Sequence, residues 1–414
     1  MSKKIQMIDL FAGCGGLTEG FEQSGHYRTL ACVEWEEAPC RNLRHRLGHK
    51  WHYQTSDEMV LQFDIQRTTE LLNGWDDKKY GVSRGLDDCV RKRGGRVDLI
   101  IGGPPCQAYS IAGRIRDEHG MRNDYRNYLF ESYIKIVQHY QPKAVVFENV
   151  PGMLSARPGD GSRLAVDMVM EEFDKAGYAC ISDFKRAVIE FAQYGVPQYR
   201  KRVILLGLRK DQFRAQDTDE ILNKFYEEIL PSHQSDQVKT AGEAMAGLEP
   251  LYPLPECTKK KGRKQSHSFP EDNTIKNHLP RYCNPRDMQI FKLLANDRAC
   301  GANRYASAQA LKELYTSITG RVSNVHKYHV ISPEEPSNTV PAHLYKDGLR
   351  HIHPDPAQQR SITVREAARL QTFPDDYEFL SGMSDNYKMI GNAVPPLFAR
   401  ILGESVYELL SRYG

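Results

Sequence analysis

The chain has 414 residues, 40% of them apolar, enough for the core of one large or two ordinary domains, and a formal net charge of +3. Charge so near balance excludes a histone-like protein, so any hold on a polyanion must come from local patches. Nine cysteines scattered without Cys-x-x-Cys pairs exclude a disulfide framework and a zinc or other metal site and fit a reducing, cytoplasmic setting, while no apolar run approaches the ~18 residues of a membrane span.

The first predicted elements, in IQMIDLFAGCGGLTEGFEQSG from Ile5 to Gly25, are an apolar strand, a turn with Gly13, Gly15 and Gly16, and a helix. Glycines at a strand-to-helix turn let the backbone approach a ligand and leave helix amides aimed at it. The turn therefore reads as a nucleotide-type cofactor loop, although glycines also make ordinary tight turns. TLACVEW is the next strand. Glu34 at its end lies about 20 residues beyond the first glycine, where an acid holds ribose hydroxyls, and Trp35 either faces an adenine or simply packs. Asp64, in LQFDI, ends a third short run, either as another group at this edge or as a surface-turn aspartate. Residues 66–96 are polar and are expected to form a helix and loops, with RKRGGR a solvated face.

VDLIIGG reads as a strand buried on both faces. Cys106, in GGPPCQAYS, sits just past its carboxyl end, where ligands and reactive groups gather in open α/β sheets, and Pro104 and Pro105 fix the backbone that aims it. A lone cysteine is otherwise a small buried hydrophobe. The stretch that follows, with Arg114, Arg116, Arg122 and Arg126, has little periodicity and is expected to close over a substrate as a loop from Gln107 to Asn127. After a helix from Tyr128 to Tyr140, KAVVFENV is a second buried strand. It brings Glu148 to the same edge, where a carboxylate is costly unless paired or protonated, so it is either a capping residue or a functional acid. Gln198, Arg200 and Arg202 alternate toward VILLGL and are expected to share one strand face, suited to an anionic or carbonyl-rich ligand or else only solubilising an edge.

Near Lys210 the character changes. Residues 1–210 are expected to form one domain, and 211–344, polar and irregular with KKKGRK from Lys259 to Lys264, a smaller one. Residues 345–414 are expected to return to the first. In the last segment Thr363 and Glu366 form a capping box, Gly391 and Asn392 read as a turn, and Pro395-Pro396 start an amphipathic helix.

FAGCGG, GGPPCQAYS, ENV, QYRKR, TVREAARLQTFP and GNAVPP stand in the order and spacing of the DNA cytosine-5 methyltransferases. The chain resembles that family from Asp9 to about Arg202 and from about Ser337 to the end. The resemblance implies an α/β fold, a doubly wound, mostly parallel Rossmann-like sheet that binds S-adenosylmethionine, with a second, smaller target-recognition domain. It also implies a stand-alone enzyme of prokaryotic or phage type that methylates C5 of a flipped cytosine in duplex DNA, leaves S-adenosylhomocysteine and uses no metal. Cys106 would be the thiolate that adds to C6. Glu148 would meet N3, Arg202 aided by Arg200 the O2 carbonyl, and Gln198 would orient them. The cofactor would lie on Phe11, Gly13, Gly15, Gly16 and Pro105, with Glu34 on the ribose, Trp35 and Asp64 at the adenine, and Asn392 near the methionine part.

Double-stranded DNA is then the expected partner, read by residues 211–344 with KKKGRK and the arginines of RYCNPRD as contacts. A restriction endonuclease acting on the same site is a second expected partner. The protein would work as a monomer, in the cytoplasm and on the nucleoid through its DNA. Three rivals are weaker. The transfer-RNA-methylating branch of the family carries a CFT tripeptide that this sequence lacks. A silent nucleic-acid-binding regulator predicts loss of the thiol or the acid, and an oxidoreductase leaves Cys106, ENV and QYRKR without a role.

Overall fold

A computed structural model describes residues 4–105, 128–158, 161–213, 215–260, 263–272, 274–322 and 328–414. The apolar runs become strands buried on both faces. Met7, Ile8 and Leu10 of β1 (Ile5–Leu10) are fully buried, as are Leu30, Ala31 and Cys32 of β2 (Tyr27–Glu34). Such continuous burial, rather than alternation, is what a sheet covered by helices on both faces requires.

The strands continue with β3 (Val60–Gln62), β4 (Trp75–Asp77), β5 (Gly81–Ser83), β6 (Leu99–Gly102), β7 (Ala144–Asn149), β8 (Tyr178–Cys180), β9 (Val188–Glu190) and β10 (Lys201–Arg209). Among the described residues the main sheet has eight strands in the order β3-β2-β1-β6-β7-β10-β8, with β9 on β10. β3, β2, β1, β6 and β7 are parallel, and β10 runs antiparallel to β7, β8 and β9. The order reverses between β1 and β6, which opens a crevice at the carboxyl ends of those two strands.

The chain forms two compact units. The first comprises Met1–Gly195, Arg200–Asp236 and Ala393–Gly414, and the second Val196–Tyr199 and Gln237–Asn392. Residues 211–236 thus fold with the sheet, and 345–392 stay with the second unit. In the first unit the helix Gly16–Gln23 lies against the helix Pro396–Tyr413. A Cβ on Gly20 would sit 2.4 Å from that of Ala399, and the Tyr27 hydroxyl donates to the Gly403 carbonyl at 2.7 Å.

The second unit is less irregular than its composition suggests. Besides the hairpin β11 (Pro253–Lys260) and β12 (Arg263–His267), it contains the helices Pro285–Ala299 and Ala308–Thr319, each with a side-chain N-cap, from Asn284 and Ser307. These helices meet in a core that includes Ile290, Phe291, Leu311 and Leu314. The capping box is present: Thr363 Oγ1 accepts the Glu366 amide at 3.2 Å and Glu366 Oε2 accepts the Thr363 amide at 2.7 Å. Gly391 and Asn392, in contrast, close the helix Met383–Asn392 rather than making a turn. Gly391 stands there because a Cβ would strike the Pro341 carbonyl at 2.4 Å. Among the described residues no helix is long and apolar enough to cross a membrane.

Candidate active site

β1 stops at Leu10, and Phe11 (φ 58°), Gly13 (φ 54°) and Gly15 (φ 84°) carry the chain through left-handed backbone into the helix Gly16–Gln23. Glycine takes such angles freely. Phe11 does not, and strain of that kind persists where the surroundings over-determine it. The turn is tied to β2. Glu34 Oε2 accepts the Gly13 amide at 2.9 Å, and its Oε1 accepts the amides of Trp35 and Glu36 at 2.8 Å each. Burial raises the Glu34 carboxyl above its usual range, and these three amides oppose the rise.

A Cβ on Gly13 would meet nothing within 4 Å, so the loop faces open space there. Cβ atoms on Gly15 and Gly16 would strike Leu43 at 2.5 Å and the Val394 carbonyl at 2.3 Å. Gly13 thus leaves room for a ligand to approach the backbone, and Gly15 and Gly16 are demanded by packing. Trp35 is 44% exposed beside Glu34. Asp64 follows β3 at the same edge, half-buried in a turn where its Oδ1 accepts the Gln66 amide at 3.0 Å. A carboxylate offers about four acceptor positions and Glu34 spends three on amides, which leaves one for a hydroxyl. Open backbone, a bracing acid, an exposed aromatic ring and a second acid fit the adenosine half of S-adenosylmethionine.

β6 ends at Gly102 and leads through Gly103, Pro104 and Pro105. A Cβ on Gly103 would lie 2.5 Å from Glu148 Oε2, so only glycine leaves room for the acid. Asn149 Nδ2 reaches the Pro104 carbonyl at 3.4 Å, tying the end of β7 to the same segment. Cys106 and the loop from Gln107 to Asn127, with its four arginines, lie outside the described residues.

Glu148 is 13% exposed, and its Oε1 lies 3.0 Å from Arg202 Nε. Burial raises its pKa, while Arg202 and then Arg200 draw it down. Arg200 is 1% exposed and donates to the Ala393 carbonyl at 3.0 Å. Burial, followed by the like charge of Arg202, lowers its pKa against the pull of Glu148. The pair Glu148–Arg202 with Arg200 behind it presents one acid and fixed guanidinium donors at the sheet edge.

Gln198 corrects the expectation of a shared strand face. β10 begins at Lys201, whereas Gln198 belongs to the second unit. There it is fully buried: its Nε2 donates to the Leu370 carbonyl at 3.2 Å and to Gln371 Oε1 at 3.0 Å, and its Oε1 accepts the Val340 amide at 2.8 Å. Gln198 instead makes an isolated parallel bridge with Ser337, and Arg200 also precedes β10, so of the three only Arg202 stands in that strand. Asn392, with an exposed side chain, is the last residue of the second unit. Of the arginines in RYCNPRD, Arg281 lies 4.7 Å over the Tyr387 ring and donates to the Leu344 carbonyl at 2.9 Å, so it works inside its unit, and Arg286 pairs with Asp287 at 3.1 Å.

Three residues that shape the sheet edge were not singled out from sequence. Asn149 follows Glu148 in the same strand end, and that second polar residue was the available signal. Gly103 precedes two prolines, and nothing local in the sequence marks the distant carboxylate it makes room for. Asp9 reads as one polar residue in an apolar strand, yet it is fully buried, accepts the Thr18 hydroxyl at 2.5 Å and is pushed by burial up to about 7.

The pattern of the family described as C-5 cytosine-specific DNA methylase matches residues 5–408. The chain is similar to the type II methyltransferase M.Bpa9945I of Bacillus paralicheniformis, 33% identical with 98% of this chain and 99% of that protein covered. It is also similar to the type II methyltransferase M1.HphI of Haemophilus parahaemolyticus, 30% identical over 98% of this chain and 87% of the other. In fold it matches the crystal structure of a prophage-encoded E. coli protein assigned as a DNA modification methyltransferase, with a TM-score of 0.61, 22% identity and coverage of 99% and 100%. With its parallel sheet, glycine loop and acid–arginine pair, this chain belongs to the C-5 cytosine-specific DNA methylase family and is an enzyme.

Proposed function

We propose that the protein transfers the methyl group of S-adenosylmethionine to C5 of a cytosine flipped out of a specific duplex DNA sequence, through a covalent bond between Cys106 and C6. The observation that carries this reading is the buried Glu148–Arg202 pair at the carboxyl edge, one strand from the segment that delivers Cys106. Cytosine C5 is too poor in electrons to attack a methyl group unaided. A Cys106 thiolate adding to C6 makes the ring an enamine, and Glu148 holds or shares the proton at N3, where charge develops. Arg202 donates to the O2 carbonyl, and Arg200 behind it keeps the field positive. These groups face the Watson–Crick edge of a base, which a duplex exposes only after extrusion at a cost of a few kcal/mol.

The residues that would hold the cofactor are Phe11, Gly13, Gly15, Gly16, Glu34, Trp35, Asp64, Pro105 and Asn392. When bound it supplies an electrophilic methyl group, which the activated C5 takes. Transfer leaves S-adenosylhomocysteine; a water or hydroxide held near Cys106 then takes the C5 proton, and the C6–S bond breaks to release the Cys106 thiolate and restore the ring. Gln198 supports the second unit, residues of which would read the DNA, with Lys259 and Lys264 of the β11–β12 hairpin as phosphate contacts. The type II names of the relatives support a place beside a restriction endonuclease of the same specificity, in the cytoplasm.

The test is transfer of label from methyl-labelled S-adenosylmethionine to unmethylated duplex DNA and, in parallel, to transfer RNA, with wild type and Cys106→Ala. Label in DNA as 5-methylcytosine, lost in the variant, is the expected result, and label confined to RNA would overturn the substrate assignment.

A further inference from the structure

The stretch after Asp64 carries none of the family motifs, yet it is built around the cofactor edge. It folds as the helix Thr68–Asn73 and the hairpin β4–β5, which among the described residues pairs only with itself and adds no strand to the main sheet. Phe63 joins the two. Its amide donates to the Glu34 carbonyl at 3.0 Å, extending the β2–β3 pairing by one residue, and its ring is 1% exposed. That ring stacks on Trp75 at 4.1 Å with planes 21° apart, meets Tyr80 edge-on at 5.1 Å and has the Arg67 guanidinium 4.6 Å above it. Arg67 is ion-paired with Glu70, and with Asp77 of β4 at 2.6 Å.

Asp64 lies between Phe63 and Arg67. The Arg67 amide donates to the Asp64 carbonyl at 3.0 Å and the Gln66 amide to its Oδ1 at 3.0 Å. The hairpin therefore grips the turn at both ends, by a buried ring one residue before Asp64 and by an ion pair three residues after it. Lys79 donates to the Tyr80 hydroxyl at 2.8 Å, which with the nearby Asp64 and Asp77 carboxylates raises its pKa, so the hairpin tip brings a cation toward the same acid. A cover that only closed the sheet edge would need the apolar contacts and not the charged ones.

We infer that the hairpin Trp75–Ser83 is a positioning device that fixes Asp64 toward the adenine of the cofactor, with Arg67 and Trp75 as its positioning residues. This rests on the proposed cofactor site. A carboxylate held in one orientation accepts a hydrogen bond from the exocyclic amine of adenine without first losing freedom, so the effect is read as selectivity for the base.

The test is calorimetric binding of S-adenosylhomocysteine and of S-inosylhomocysteine, which has a carbonyl in place of that amine, to the full chain. Arg67→Gln and, independently, Asp77→Asn are expected to weaken the adenine compound about fivefold and to leave the inosine compound within about twofold, as couplings of this size are usual between contacting residues. Arg67→Lys recovers part of the loss, and Arg67→Gln adds nothing in an Asp64→Ala background. In turnover, the KM for S-adenosylmethionine rises while kcat at saturating cofactor is kept. Equal loss for both compounds, or a further loss in the Asp64→Ala background, would show a merely structural hairpin and overturn the inference. Wild type that binds neither compound would overturn the cofactor site and the inference together, whereas wild type and variants that bind the adenine compound alike would overturn the inference alone.

Discussion

In the proposed reaction a carboxyl group that meets N3 of cytosine is useful only if it is desolvated and yet controlled, and Glu148 has both conditions: burial pushes its pKa up and two arginines draw it back. Glu148→Gln keeps shape and removes the acid, and kcat should fall about 10²- to 10⁴-fold with S-adenosylhomocysteine binding retained, measured by label transfer and calorimetry. Gly103→Ala is the complementary change. The added methyl would press on the carboxylate at 2.5 Å, and since Arg202 holds that group, kcat should drop by about tenfold or more while the fold persists, which circular dichroism checks. Asp9 carries a prediction of a different kind. Its pKa rises from 3.8 to about 7 on folding, chiefly by burial, so the stability it contributes is complete below pH 3.8 and fades as the pH climbs through 7. Urea midpoints between pH 4 and 8 should fall for wild type relative to Asp9→Asn over that window. The sequence announced Glu148, because a charge ending an apolar strand is conspicuous. It could not announce that Asp9 is sealed in, because a buried carboxylate in a strand looks the same as one on a rim.

At the scale of elements, legibility followed the length and purity of the pattern. Long apolar runs bounded by glycines read as strands, and the Thr363–Glu366 box read as a helix start, because each signal is local. The β4–β5 hairpin was hidden, for each of its strands has three residues and is held by aromatic contacts that no periodicity shows. The helices Pro285–Ala299 and Ala308–Thr319 were hidden among polar residues although their caps, Asn284 before Pro285 and Ser307, were in view. The capping box has a second duty that only the structure reveals. Arg360 donates to both oxygens of Glu366 at 2.7 Å, and although burial works to raise the Glu366 carboxyl, Arg360 holds it well below its usual range. Thr363→Ala should therefore cost about 1 kcal/mol, the worth of a cap. Glu366→Gln, which strands a buried guanidinium, should cost about 3–5 kcal/mol. Chemical denaturation of the two variants measures the contrast.

At the scale of the whole molecule, the two units should answer acid in opposite senses. Burial lowers His267 and His353 to about 4 and His351 to about 3, all in the second unit. Unfolding lets each take a proton near its ordinary 6.5, so the stability they contribute is complete above that value and is lost as the pH falls toward their folded values. The slope reaches about 1.4 kcal/mol per pH unit for each histidine. Over the same range Asp9 strengthens the first unit. Hydrogen exchange resolved by segment, at pH 7 and pH 5, should show the second unit losing protection first. The division of the chain has a consequence for how the protein is made. The helix Gly16–Gln23 leaves the ribosome long before its neighbour Pro396–Tyr413, with the Tyr27–Gly403 bond spanning 376 positions. Until the helix Pro396–Tyr413 is made, Phe21 and Tyr27 wait without that cover, so a nascent chain offers proteases and chaperones the helix Gly16–Gln23, and a message cut short before Pro396 spoils a region translated hundreds of residues earlier.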